Sequence, residues 1–194
     1  MSSPPPIPVS GLSLDERVRA LLDRGEARDA AALAIRELGP QVLGYLAAML
    51  RSESDAREVF SQFAEDLWKG LPGFRGESSL RGWAYRIAWH ASARFARDPY
   101  RQRGRRLETG EASILAEEVR TALGEEAWRI DRMQEIRTRL DPDEQTLLIL
   151  RVSRGLSWRE VAHVLAVEAG EPASEAALRK RFERLKEKLG TLAR

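Results

Sequence analysis

Apolar side chains that recur every three or four residues restrict this chain to a fold of packed helices. The clearest example is Leu80, Trp83, Ile87, Ala91 and Phe95. This spacing places all five side chains on one face of a helix, where they form a buried stripe. The pattern predicts a helix from residue 80 onward and favours an all-α fold.

Helix-breaking and helix-capping residues divide the rest of the chain into further helices. The segment Leu71-Pro72-Gly73 and Gly76 interrupt the chain before the helix at residue 80, and Ser78 or Ser79 can cap it. Similar signals at Asp141 and Ser157 begin two later helices. The other predicted helices cover residues 12–22, 27–38, 42–50, 56–68, 133–140 and 175–189.

The sequence predicts two small helical domains joined by a flexible linker. Residues 1–11 are rich in proline and should be disordered. A helical bundle is expected at 12–106, an acidic linker at 107–131 and a helix-turn-helix domain at 132–194. A chain of 194 residues is long enough for each domain to bury a core.

Composition excludes several classes of function. Cysteine is absent, which removes disulfides, thiolate metal sites and cysteine nucleophiles. The two histidines lie in different predicted segments, and no glycine-rich phosphate loop is present. No apolar run is long enough to span a bilayer, and no signal peptide is evident. We therefore expect a cytoplasmic protein that is not an enzyme and that has no metal, cofactor or membrane insertion.

The helix from residue 80 carries cations and aromatic rings away from its predicted core stripe. Arg86, His90 and Arg94 fall on one flank, while Tyr85 and Trp89 fall nearly opposite the stripe. Arginines beside outward aromatic rings suit nucleic acid with unstacked bases. The alternative is that Trp89 packs against another helix of the same domain.

The last predicted helix has a cationic flank formed by Lys180, Arg181, Arg184 and Lys188. It follows two shorter helices with short connections, which is the helix-turn-helix pattern. The alternative is a plain helical bundle with a basic surface. The spacing of caps and turns favours DNA binding.

Two separated blocks resemble one family. The first block is DAREVFSQFAEDLW, followed by FRG and by SLRGWAYRIAWHASARFAR. The second is LDPDEQTLLILRVSRGLSWREVAHVLA, followed by ALRKRFERLKEKL. In this order they resemble the extracytoplasmic-function (ECF) group of bacterial RNA polymerase sigma factors. That resemblance implies a transcription initiation factor that binds core polymerase, melts and reads a −10 element, and reads a −35 element.

The resemblance also implies partners and site residues. Core polymerase would be bound through its beta-prime clamp helices and beta flap, and an anti-sigma factor is a common further partner in the family. Implied core-polymerase contacts are Glu58, Ser61, Gln62 and Glu65. Implied −10 contacts are Phe74, Arg75, Glu77, Ser78, Ser79, Trp83, Arg86, His90 and Arg94. Implied −35 contacts are Glu175, Arg179, Lys180, Arg181 and Arg184.

Three features depart from the family pattern. The family usually has glutamine at the position of Ser61 and asparagine at the position of His90, and residues 167–173 exceed its tight turn. Two other functions stay open from the residues alone. A stand-alone helix-turn-helix regulator would bind duplex DNA without polymerase, and an adaptor would bind a protein through the acidic helix and would not read DNA.

Overall fold

The computed structural model describes residues 12–50, 52–97, 110–123, 140–166 and 174–192. All regular structure within these ranges is helical, which confirms the all-α fold class. We number the α-helices α1 (Leu14–Asp23), α2 (Ala27–Leu50), α3 (Glu53–Gly70), α4 (Leu80–Arg97), α5 (Gly110–Leu123), α6 (Pro142–Leu148), α7 (Trp158–Val164) and α8 (Glu175–Leu192). A 3-10 turn, Leu71–Gly73, follows α3, and a π-helical turn, Ile149–Ser153, extends α6.

Helix α2 lies at the centre of the core because five other helices, α1, α3, α4, α5 and α6, pack against it. Its Tyr45 and Leu46 are fully buried, as are Phe60 and Phe63 of α3. The rings of Phe60 and Phe63 lie 5.5 Å apart between centroids. Burial of such large side chains is the main favourable contribution to a fold of this kind.

The expected helix break at Gly39 and Pro40 is wrong. Helix α2 continues through Pro40 as one element of 24 residues. Proline within a helix costs about 3 kcal/mol, because it removes one backbone hydrogen bond and clashes with the preceding turn. Leu38 and Val42, which flank the proline, are both buried. The apolar surface on both sides of Pro40 is therefore buried in one continuous helix, and this packing outweighs the local preference.

The caps predicted for the later helices are present. The Asp141 side chain accepts a hydrogen bond from the Glu144 backbone N–H, and the Glu144 carboxylate accepts one from the Asp141 N–H. Ser157 and Glu160 form the same reciprocal pair at the start of α7. Gly155 has φ of 64° between these helices, where a side chain would be strained. The Trp158 ring then packs edge-on against Phe182 of α8 at 5.5 Å.

Helix α5 lies within the predicted linker and packs on α2 and α3. Its buried residues are Ala112, Leu115, Ala116 and Val119. Val119 sits in a notch above Gly39, where an added Cβ would lie 3.0 Å from the valine Cγ2. The predicted domain boundaries at 106 and 132 lie outside the described residues. They stay a prediction.

Helices α4 and α7 contact each other, so the main buried cluster runs through both halves of the chain. Leu147, Leu150 and Val161 belong to the same cluster as Tyr85 and Ala88 of α4. A smaller cluster formed by Leu140, Leu148 and Leu185 anchors α8. The second half of the chain therefore packs directly on the helix that carries the predicted −10 residues.

Candidate nucleic-acid interface

The loop before α4 is held at both ends. The 3-10 turn closes through a 2.9 Å bond from the Phe74 N–H to the Leu71 carbonyl. At the other end, the Ser79 hydroxyl accepts a 3.0 Å bond from the Gly82 N–H, which confirms the predicted serine cap. The carboxylate of Asp15 in α1 accepts a 3.0 Å bond from the Leu80 N–H. Two acceptors therefore satisfy free backbone donors at the start of α4.

An aromatic pair and a small cavity lie behind this loop. The rings of Phe74 and Trp83 are 5.1 Å apart between centroids and tilted by 41°. The cavity beside them has a volume of about 250 Å³. Its lining residues are Gly73, Phe74, Arg75, Glu77, Ser78, Trp83, Arg86 and His163. The structure thus brings six of the nine predicted −10 residues to one cavity.

The remaining predicted −10 residues lie elsewhere. Ser79 faces α7, where its hydroxyl donates a 2.6 Å bond to Glu160. His90 is half-buried further along α4, with its ring edge-on to Trp89 at 4.9 Å. Arg94 forms an ion pair with Asp66 of α3. None of these three residues lines the cavity.

The two aromatic side chains expected to face outward behave differently. Tyr85 is 1% exposed and packs edge-on against Tyr45 of α2 at 5.5 Å, so its predicted exposure is wrong. Burial raises the pKa of the Tyr85 hydroxyl, although the charges of Arg154 and Arg81 oppose this effect. Trp89 is half-buried and packs on the core cluster. The alternative of packing within the fold therefore holds for Trp89.

The face of α3 predicted to bind polymerase is only partly open. Glu58 is half-buried, and the Gln62 amide donates a 2.7 Å bond to Asp66. Ser61 accepts a hydrogen bond from Arg120 of α5. Glu65 is 3% exposed and forms a 3.2 Å ion pair with Lys69, so its expected position on a solvated face is wrong. The ion pair with Lys69 offsets the free-energy cost of burying this carboxylate.

Helix α8 presents most of its predicted −35 residues to solvent. Glu175, Arg179, Lys180 and Arg184 are exposed. Arg179 also bonds to Glu175 at 3.4 Å and lies 5.9 Å from the ring centroid of Trp158. Arg181 differs, because it forms ion pairs with Asp141 and Asp143 at the start of α6. The long turn noted at 167–173 lies outside the described residues.

A larger cleft of about 920 Å³ separates the loop from α7 and the start of α8. Both Glu160 and His163 line this cleft. Burial opposes ionisation of Glu160, but hydrogen bonds from Ser79 and Ser157 outweigh it and lower the Glu160 pKa. The pKa of His163 is lowered by burial and by the charges of Arg86 and Arg159, with Glu77 opposing. His163 is therefore favoured in its neutral form.

Comparisons with known proteins show which proteins this chain is similar to. Residues 34–104 match the family model described as Sigma-70 region 2. The chain is 25% identical to the RNA polymerase sigma-H factor of Pseudomonas aeruginosa, over 80% of this chain and 84% of that protein. It is 26% identical to the RNA polymerase sigma factor YlaC of Bacillus subtilis, over 71% of this chain and 80% of that protein.

The chain contains a sigma-70 region 2 domain, and its similarity to these two proteins supports an RNA polymerase sigma factor of the ECF group. This similarity supports a role in transcription initiation, and the partners that the sigma factor family implies are core RNA polymerase and promoter DNA. Sigma factors are not enzymes. The matched region contains α3, the loop and α4, so every residue that lines the cavity except His163 lies within the sigma-70 region 2 domain.

Several residues of this sigma factor's interface were not found from sequence. Asp15 caps α4 from 65 positions away, and His163 reaches the cavity from 77 positions beyond Arg86. Neither contact follows a local spacing rule, because both depend on how distant helices pack. The capping box at Ser157 predicts the bond between Ser157 and Glu160. No sequence pattern predicts the further bond that Glu160 accepts from Ser79.

Two further results concern only the described part of the chain. It contains no group of three or more histidine, aspartate or glutamate side chains placed to hold a metal ion. None of its helices is long and apolar enough to cross a membrane.

Proposed function

We propose that this sigma factor directs core polymerase to promoters by melting and reading a −10 element and by reading a −35 element. The observation that carries the proposal is the cavity beside Phe74 and Trp83, which has two arginines at its wall. A cavity of about 250 Å³ has room for one nucleobase. The rings offer a surface for stacking, and Arg75 and Arg86 offer charge to the adjoining phosphates.

The free-energy balance favours capture of an unstacked base. Extrusion of a base from duplex DNA costs a few kcal/mol. Stacking on an aromatic side chain returns about 1–3 kcal/mol per base. Polar groups of Glu77 and Ser78 at the same cavity can select among bases by hydrogen bonding. The proposed role of the cavity is to hold one non-template base of the −10 element.

Helix α8 is the proposed reader of the −35 element. A recognition helix contacts base edges in the major groove with residues near its N-terminus, and the exposed Arg179 and Lys180 lie within the first six residues of α8. Arg184 follows one turn later on the exposed surface. Arg181 has a different proposed role, because its ion pairs with Asp141 and Asp143 hold α8 against α6.

Helix α3 is the proposed contact with the beta-prime clamp helices of core polymerase, through Glu58, Ser61 and Gln62 in particular. These residues are half-buried rather than buried, so a partner can reach them. The beta flap would contact the second half of the chain. An anti-sigma factor that covers the same acidic and basic surfaces remains a further proposed partner.

Binding of the reconstituted holoenzyme to fork-junction DNA tests the base cavity. Each non-template nucleotide of the −10 element is replaced in turn by an abasic nucleotide. We expect one position to dominate the loss of affinity, and we expect Trp83→Ala to remove that dominance. Arg86→Ala should weaken binding, whereas Arg28→Ala should not, since Arg28 is exposed on α2 and pairs with Glu111. Equal losses at all positions would contradict the proposal.

A further inference from the structure

Helix α5 lies in the segment predicted to be an acidic linker, beyond the residues 34–104 that match sigma-70 region 2. It packs on both α2 and α3. On the side of α2, Val119 fills the notch above Gly39, and Glu118 forms a 3.3 Å ion pair with Arg36. These contacts hold α5 in a fixed position beside α3.

The other flank of α5 reaches the face of α3 that is proposed to bind polymerase. The Arg120 guanidinium donates hydrogen bonds to the Ser61 hydroxyl and, at 3.3 Å, to the Arg57 carbonyl. The Arg120 side chain is only 15% exposed, because it lies in the junction between the two helices. Ser61 and Arg120 therefore join α3 and α5 into one continuous surface.

The Ser61 hydroxyl is already engaged within the chain. Its single O–H donates a 3.1 Å bond to the Arg57 carbonyl, and its oxygen accepts the bond from Arg120. The Nε of Arg120 donates a further 3.1 Å bond to the Glu117 carboxylate. The polar groups that α5 places beside Ser61 are therefore Arg120 and Glu117, and Ser61 itself has no second proton to donate to a partner.

The outer face of α5 carries a charged and an apolar side chain beside this junction. The Glu117 side chain is 62% exposed, and the hydrogen bond and the charge of Arg120 lower the pKa of its carboxyl group. Ile114, which precedes Glu117 by three residues, is also 62% exposed. A single exposed apolar side chain is common on protein surfaces. Ile114 differs because it lies on a helix that is fixed against a proposed interface.

We propose that α5 is a second part of the surface that binds core polymerase, so that Glu58 and Gln62 of α3 and Ile114 and Glu117 of α5 contact the same partner. The inference rests on the proposed contact between α3 and the beta-prime clamp helices. Continuity through Arg120 extends that contact onto α5. Acidic side chains on both helices favour a partner surface with cationic side chains, and Ile114 adds apolar area to the contact.

Binding of the full-length protein to immobilised core polymerase, measured by biolayer interferometry, tests the proposal. Glu117→Gln and Glu118→Gln form a matched pair, since both glutamates are exposed on α5 and both pair with an arginine. Glu118 is the control, because its arginine belongs to α2. We expect Glu117→Gln and Ile114→Ser to weaken the affinity about fivefold or more. Glu118→Gln should leave the affinity unchanged.

The variant Glu58→Lys separates this proposal from the proposed function. Weaker binding of Glu58→Lys, with Glu117→Gln and Ile114→Ser equal to the unmodified protein, would overturn the extension onto α5 and leave the α3 contact in place. Weaker binding of the two α5 variants, with Glu58→Lys unaffected, would contradict the α3 contact and support the contact of α5. Tighter binding of Glu117→Gln would overturn the proposal, because α5 would then cover the polymerase-binding face instead of extending it.

The salt dependence of the affinity provides a second measurement. A charge that acts across the interface makes binding weaken as salt is added. Glu117→Gln should therefore bind with a smaller salt dependence than Glu118→Gln, although the two proteins have the same net charge. Equal salt dependence of the two variants would overturn the role of Glu117 in the contact.

Discussion

Asp15 in α1 is bonded to Leu80, the first residue of α4, with 3.0 Å between the carboxylate oxygen and the backbone nitrogen. This bond joins the first described helix to the helix that carries the proposed −10 surface. It also places a negative charge at a helix N-terminus, where the helix dipole favours it. The arrangement makes α1 a support for the loop at 74–79.

We expect Asp15→Ala to destabilise the protein by about 1 kcal/mol, the usual cost of losing a helix N-cap. Asp15→Asn should cost less, since its amide oxygen can accept the same bond. Urea unfolding followed by circular dichroism measures both. Asp23→Ala is the control, because Asp23 is exposed at the end of the same helix. Equal stability of the Asp15→Ala and Asp23→Ala proteins would argue against this cap.

Two glycine substitutions should change stability in opposite directions. An alanine Cβ at position 39 would lie 3.0 Å from Val119 and 3.2 Å from Phe60, so Gly39→Ala should cost about 1–3 kcal/mol through overpacking. Gly190 in α8 has no such neighbour, and Gly190→Ala should add about 0.5–1 kcal/mol through helix propensity. Thermal unfolding compares them. The addition of Val119→Ala should partly rescue Gly39→Ala, and absence of rescue would contradict the packing of α5 in this notch.

Arg184 and Arg181 should differ in what their removal affects. Arg184 is exposed on α8, so Arg184→Ala should weaken holoenzyme binding to −35 DNA and reduce the salt slope by about 1. Arg181→Ala removes two partly exposed ion pairs and should cost at most about 1 kcal/mol of stability. Binding titrations at several salt concentrations, together with unfolding curves, separate the two effects. An unchanged salt slope for Arg184→Ala would mean that Arg184 does not contact phosphate.

The packing of α7 against α4 should weaken at mildly acidic pH. Packing of α7 on α4 lowers the pKa of His163. The stabilisation that this packing gains from neutral His163 is therefore complete above the ordinary histidine pKa of about 6.5, and it is lost as the pH falls below that value. The pKa of Glu160 is also lowered, so protonation of Glu160 at still lower pH should weaken the same packing further. The charged groups facing His163 are Arg86, Glu77 and Arg159.

Small-angle scattering of the free protein tests this pH dependence. The radius of gyration should rise between about pH 7.5 and pH 5.5, the interval in which histidine takes up its proton. His163→Gln should remove most of the rise, whereas His90→Gln should retain it. These two residues are the only histidines in the chain. A rise that depends on His90 would contradict the account.

Local signals in the sequence predicted local structure well. The capping boxes at Asp141 and Ser157 and the serine cap at Ser79 are all present, because each depends on residues within three positions. Gly39 and Pro40 predicted a helix break that is absent, because the burial of apolar side chains along the whole of α2 outweighs one local helix-breaking signal. Periodicity also failed at Tyr85. A single buried stripe assumes one packing partner, but α4 packs against α2 and α3 on one side and α7 on another.

The candidate site was predictable in its residue types more than in its arrangement. Phe74, Trp83 and Arg86 were expected at one surface, and the structure brings them to one cavity. The contacts of Glu160 with Ser79 and of His163 with Arg86 join residues 81 and 77 positions apart. Such contacts depend on how two helical units pack, which no spacing within either unit specifies.

Run-off transcription is the most direct test of the central claim that this chain is a sigma factor reading two promoter elements. Bacterial core polymerase is supplied with a pool of promoter fragments, with and without the protein. The account predicts new transcripts whose start sites share two upstream elements about two turns of DNA apart, and loss of these transcripts with Trp83→Ala. No protein-dependent transcripts, together with tight binding of the protein alone to duplex DNA, would contradict the account.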